Sequence, residues 1–205
     1  MPVNLDYFKE FILLFPDSIL FGSVLLGLST LSLQHGLFFM SFLESFIALS
    51  GLQNILSFVV GNSSNGTRCK SKFHTLMFGD ILGSTSADTP SYGIYVVSFA
   101  CAYMLTSLYE IKDELDVLDS SFYKQYNTSF YVLTAIPILY AIARVVLHCD
   151  SVSSALVSLF VGAFIGILLE FQNVSLFGRN ATNFLGIPLL RNKTVNNEPI
   201  YICSK

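Results

Sequence analysis

The sequence predicts an all-α, polytopic helical membrane protein: about five transmembrane helices, an N-terminal interfacial helix and an irregular C-terminal tail. Three observations lead there. Hydrophobic residues make up 53% of the 205 residues and charged ones 12%, with mean hydropathy +0.61. A soluble domain carries roughly twice that charged share. Apolar runs of bilayer length are separated by short polar turns. In the last of these runs, Asp150, Ser154, Ser158, Gly162, Gly166 and Glu170 recur at every fourth position. That spacing lines one helix face, and a face of small residues lets another helix approach closely in lipid. The net charge of −3 offers no basic patch, so nucleic acid is excluded as a partner.

Residues 1–10 hold one lysine against two acids. They lack the basic start of a cleavable signal, so the first apolar run is expected to stay as an anchor. The N-terminal segment is 1–17; within it 5–15 is amphipathic and too short to span, which predicts an interfacial helix ended by Pro16. The bundle then occupies 18–171, with spans at 18–33, 37–60, 92–108, 130–147 and 151–171. Gln34-His35-Gly36 reads as a turn, Pro90-Ser91 opens the third span, and Pro137 kinks the fourth. Between the second and third spans, 61–89 is a long polar segment whose 73–82 stretch re-enters or lies on the surface. The acidic run from Glu110 (Asp113, Glu114, Asp116, Asp119) reads as a solvated connector reaching 129, without calcium-loop spacing. The remainder, 172–205, is an irregular surface tail.

Five spans divide the cations five to six between the faces, which leaves orientation open under the positive-inside rule. The same geometry gathers Arg68, Lys70, Lys72, His74, Pro90-Ser91, Arg144, His148 and Asp150 at one face. Those four cations form the candidate anion- or head-group-binding set, since Arg and Lys can clamp phosphate. Ser154, Ser158, Gly162 and Gly166 are the candidate helix-packing residues. Glu44 and Gln53 lie inside the second span, where local pairing or snorkelling accounts for them. Four cysteines far apart, with no CxxC pair, give no metal site, and no cofactor is expected. Cys69 and Cys149 share a face, which leaves a disulfide or free thiols open. Six Asn-x-Ser/Thr matches fall on both faces and are read as chance products of an Asn/Ser/Thr-rich composition.

Arg68-Cys69-Lys70-Ser71-Lys72, then Pro90-Ser91, then Ala143-Arg144 and the Gly162/Gly166 helix give an order of features that resembles the type 2 phosphatidic-acid phosphatase family. In that family a basic loop ends in Arg-Pro, and Pro-Ser-Gly-His opens a helix. Ser-Arg follows, with a nucleophilic His six residues beyond the Arg and an Asp four further on. The resemblance covers about 61–171 and implies phosphoryl transfer through a phosphohistidine. The chain departs from the pattern where the chemistry resides. No Pro follows the basic loop, Gly93 stands where the second element has its His, and Asp150 stands six beyond Arg144. The tail residues Asn183-Phe184-Leu185-Gly186-Ile187-Pro188-Leu189-Leu190-Arg191 resemble those of membrane proteins of large DNA viruses. The resemblance therefore implies a degenerate, non-catalytic relative with a structural or interaction role. It would be a multi-pass protein of a virion internal membrane or host endomembrane, with membrane lipids and other membrane or capsid proteins as partners. The alternative is a lipid phosphate hydrolase or phosphotransferase with a rearranged site, using His148 or His74 with Arg144. A small carrier or channel built on Glu44, Gln53 and Arg144 is a third reading.

Overall fold

Five α-helices follow one another: α1 (Leu5–Thr30), α2 (Leu33–Val60), α3 (Tyr92–Glu110), α4 (Ser120–Val146) and α5 (Val152–Phe177), with a 3-10 turn at Arg179–Thr182. The computed structural model describes residues 5–30, 32–60, 89–112 and 120–184. Among these residues the protein is all-helical, and each of the five helices is long and apolar enough to cross a membrane. The chain is thus compatible with an integral multi-pass membrane protein. Large apolar side chains face outward on α1 (Phe21, Leu25, Leu28), α4 (Tyr131, Leu139) and α5 (Phe160, Phe164). Water would not favour such a surface, whereas hydrocarbon does.

The bundle is built around α3. Of its apolar window 72% is buried, against 17–33% in the other four helices. Its most extensive packing is with α5, which runs parallel to it. The ladder on α5 explains why. A Cβ at Gly162 would lie 2.6 Å from the Tyr95 carbonyl oxygen, and one at Gly166 would lie 2.6 Å from that of Phe99. Only hydrogen fits at either place, so the two backbones touch. Ser98 Oγ donates to the Leu159 carbonyl at 2.7 Å, and the Ser91 N–H donates to Ser158 Oγ at 2.7 Å. The second bond satisfies one of the donors left open at the start of α3. On the other side α3 meets α2 through rings: Phe42–Phe99 at 4.9 Å and Phe38–Tyr103 at 5.1 Å between centroids. We call the face where α3 begins proximal and the opposite face distal.

The boundaries differ from the sequence expectation in four places. The 5–15 segment does not end at Pro16; it forms the first turns of α1, which continues through the proline. Proline has no N–H for the carbonyl four residues back, which is Ile12. The Tyr140 hydroxyl of α4 donates to that carbonyl instead, at 3.0 Å. A neighbouring helix thus supplies the missing donor and the helix persists. Gln34-His35-Gly36 lies inside α2, because Ser32 accepts the Gly36 N–H at 3.1 Å and its hydroxyl meets His35 Nδ1 at 3.2 Å. The fourth helix begins at Ser120 rather than 130 and carries Pro137 inside it. The fifth continues past 171 to Phe177, since Asn173 finds partners on α2 and α3; it stops at Gly178, whose φ of 81° suits glycine.

Gly162→Leu and Gly166→Leu should each force α3 away from α5 and cost upwards of ~1–3 kcal/mol. Thermal unfolding in detergent checks this, and two variants that unfold like the parent would show that the ridge is not a helix contact. Tyr140→Phe should cost about 1–3 kcal/mol by orphaning the Ile12 carbonyl. In a Pro16→Ala background an N–H returns at position 16, so the same Tyr140→Phe change should cost distinctly less. Equal costs in both backgrounds would contradict the compensation.

Candidate functional site

Of the polar groups anticipated at one face, Pro90-Ser91, Arg144, His148 and Asp150 are described, and they fall at the proximal end, where α3 begins and α4 ends. Arg144 stands in the last turn of α4 and is 6% exposed. Its Nε lies 2.7 Å from Asp150 Oδ2, with both side chains buried. Its guanidinium also faces the Tyr140 hydroxyl, and its NH2 group is 3.5 Å from Ser91 Oγ. Charge, carboxylate and hydroxyls thus form one closed set, in which the arginine's strongest contact is an internal ion pair.

The turn between α4 and α5 makes that pair. The His148 N–H bonds back to the Val145 carbonyl and the Cys149 N–H to the Arg144 carbonyl, both at 3.0 Å. These are the two bonds of a Schellman motif, and His148 occupies its left-handed position with φ 56°. Histidine is among the residues that tolerate this conformation better than most. The reversal swings Asp150 back over the helix end onto Arg144, and Ser151 then caps α5 by accepting from the Ser154 N–H at 3.2 Å. His148 itself is exposed on the turn. It is not brought together with the Arg144–Asp150 pair; no described hydrogen bond joins its side chain to them.

Gly93 closes the site from α3. A Cβ there would lie 2.8 Å from the Tyr140 hydroxyl, 3.4 Å from Pro16 Cγ and 3.5 Å from Arg144 NH1. The space a side chain at position 93 would need is therefore filled by Tyr140, Pro16 and Arg144. Around this core, Gln53 Nε2 donates to the Pro90 carbonyl at 2.8 Å, Thr89 Oγ1 to Ser154 Oγ at 3.3 Å, and the Tyr92 hydroxyl to Asp17 Oδ1 at 2.9 Å. Gln53 thus ties α2 to the segment ahead of α3. Glu44 is exposed and accepts weakly from Gln172 at 3.4 Å.

Of the residues singled out in the sequence, Arg144, His148, Ser154, Ser158, Gly162 and Gly166 are described, and the last four all face α3 or the segment leading into it. Arg68, Lys70, Lys72 and His74 lie outside the described residues, as do the 73–82 stretch, the acids at 113–119 and the tail beyond 184. Cys149 is disulfide-bonded and Cys101 is a buried free thiol, while Cys69 and Cys203 fall outside the described residues. Sequence reasoning missed Tyr140, whose place opposite Pro16 no local pattern announces. It also missed the burial of Glu170, for which the four-residue ladder was a usable signal. Among the described residues, no group of three or more His, Cys, Asp or Glu side chains could hold a metal ion. A cavity of about 810 Å³ opens in the distal half between α1, α3 and α4, lined by Ile19, Gly22, Met104, Leu108, Val132 and Leu133 among others. None of the Arg144 corner lines it. Comparison with protein-family models, curated protein sequences and solved structures finds no match.

Breaking the pair from one side leaves a buried charge alone, so Asp150→Ala and Arg144→Ala should each cost about 3–5 kcal/mol. Replacing both together, Arg144→Met with Asp150→Leu, should recover most of that stability. Thermal melting of the purified protein distinguishes the outcomes, and single variants that melt with the parent would show the pair to be unimportant.

Proposed function

We propose that this chain is a multi-pass membrane protein with a phosphatase-like helical scaffold and no phosphatase activity, acting structurally or through interactions in its membrane. The observation that carries the proposal is the engagement of Arg144 by Asp150 at 2.7 Å in a buried site that Gly93 and Tyr140 close. Phosphoryl transfer to a protein side chain needs a cation free to take phosphate charge and a nucleophile in line with phosphorus. Here the cation is occupied, and the carboxylate six residues beyond it is that cation's counter-ion. The nearest histidine in sequence, His148, serves the turn and points to solvent. The proposed partners are membrane lipids and other membrane or capsid proteins. By the resemblance of the tail, the membrane is that of a virion or a host endomembrane. A disulfide at Cys149 supports an oxidising compartment on the proximal side.

Head-group binding is a second proposed role, with Arg144 and, outside the described residues, Arg68, Lys70 and Lys72 as the candidate cations. Purified protein in vesicles, given phosphatidic acid and separately a soluble phosphomonoester, should release no phosphate above the protein-free rate. Phosphate release that disappears in His148→Ala or Arg144→Ala would overturn the proposal in favour of a rearranged enzyme.

A further inference from the structure

A second buried ionisable group lies in the distal half of the bundle, away from the proximal corner. Glu170 is 0% exposed, and neither carboxylate oxygen has a hydrogen-bond partner. It continues the ladder of Ser158, Gly162 and Gly166, so helix packing turns it inward with them. About 10 Å of helix separate it from the end of α5 at Phe177, too far for a glutamate to reach the membrane surface. Above it the chain folds back: Thr182 and Asn183 are 1% and 5% exposed, and Ser107 Oγ donates to the Thr182 carbonyl.

The groups facing this carboxylate offer it no fixed counter-ion among the described residues. From α3 come Tyr103 and Glu110, an uncharged hydroxyl and a second acid. From the 3-10 turn come the Thr182 hydroxyl, which approaches the carboxyl group, and Arg179, which pairs with Glu110 at 3.5 Å and donates to the Glu110 carbonyl. From α2 comes Glu44, exposed and bonded by Gln172 of α5. On α4 the cation toward this end is Lys124, which is exposed. Asn173, one turn beyond Glu170, directs its Nδ2 to Ser41 Oγ and the Tyr103 hydroxyl, both at 2.7 Å. A carboxyl group shut away from water with no fixed counter-ion is costly to hold inside the bundle, even with the Thr182 hydroxyl close to it. It must be neutralised by something small enough to enter a sealed site. A hard metal ion would need about six oxygen ligands, which this set does not supply.

We propose that Glu170 is a reversible proton-binding site inside the bundle. Its path to solvent runs to the distal face along the seam between α3 and the 3-10 turn, past Ser107 and Thr182 to the Glu110–Arg179 pair. Those two side chains are 23% and 45% exposed, which makes them the wet end of the seam.

The test is infrared difference spectroscopy of the protein in vesicles, parent against Glu170→Gln, between about pH 5 and pH 9. Glutamine keeps the shape and neutrality of the protonated acid, so the variant should fold. The parent should show a protonated-carboxyl band that Glu170→Gln lacks. That band should vanish reversibly as pH rises, by about tenfold per pH unit once the group ionises. No such band at any pH, or one that persists unchanged across the range, would overturn the proposal.

Discussion

The contact between α3 and α5 is the constraint on which the other arrangements depend. At Gly162 and Gly166 the two helices approach until a single methyl group would collide with a backbone oxygen. In lipid, where apolar side chains gain nothing by leaving hydrocarbon, such contact draws on dispersion and short polar bonds. The same face of α5 provides those bonds through Ser158 and the Leu159 carbonyl. Because α5 runs parallel to α3, the start of both helices falls at the proximal face. The α4–α5 turn is thereby held beside Ser91 and Gly93. Without that alignment Arg144 would have neither Ser91 nor the Gly93 gap to lie against.

The polar groups inside the bundle are satisfied mainly across helices. Tyr140 replaces the donor that Pro16 lacks, Gln53 holds the Pro90 carbonyl, and Asn173 joins α2 to α3 from α5. Each removes an unpaired group from a medium where no water can pair it. Among the described residues Glu170 is the exception: neither of its oxygens has a partner within hydrogen-bond distance although it is wholly buried. An exception of this kind in an otherwise satisfied interior points to a mobile occupant more readily than to careless packing.

The proximal corner has the composition of an anion site and the wiring of a structural clasp. Arginine, serine and tyrosine would suit a phosphate. Asp150 already takes the place such an anion would fill, as the Schellman turn at His148 delivers it there. The residue identity six positions beyond Arg144 thus changes the role of the whole corner. A carboxylate there neutralises the cation, whereas a neutral imidazole would leave it free for an incoming anion.

What the sequence determined by itself is whatever one helix contains. Span-length apolar runs, the four-residue ladder, the serines that open α3 and α5, and Arg144 with Asp150 six residues on were all legible. Each depends on periodicity or on neighbours within two turns. Tertiary structure decided the rest. Pro16 reads as a stop because its missing donor is local, and its replacement comes from Tyr140, 128 positions away. The sequence leaves His148, four residues beyond Arg144, open as an alternative nucleophile, yet a left-handed backbone at the helix end puts it on an exposed turn. Gly93 reads as a missing residue until Tyr140, Pro16 and Arg144 are seen to occupy its space. Orphaned groups, filled gaps and buried charges are settled by whichever side chain arrives from another helix, and one-dimensional spacing does not carry that information.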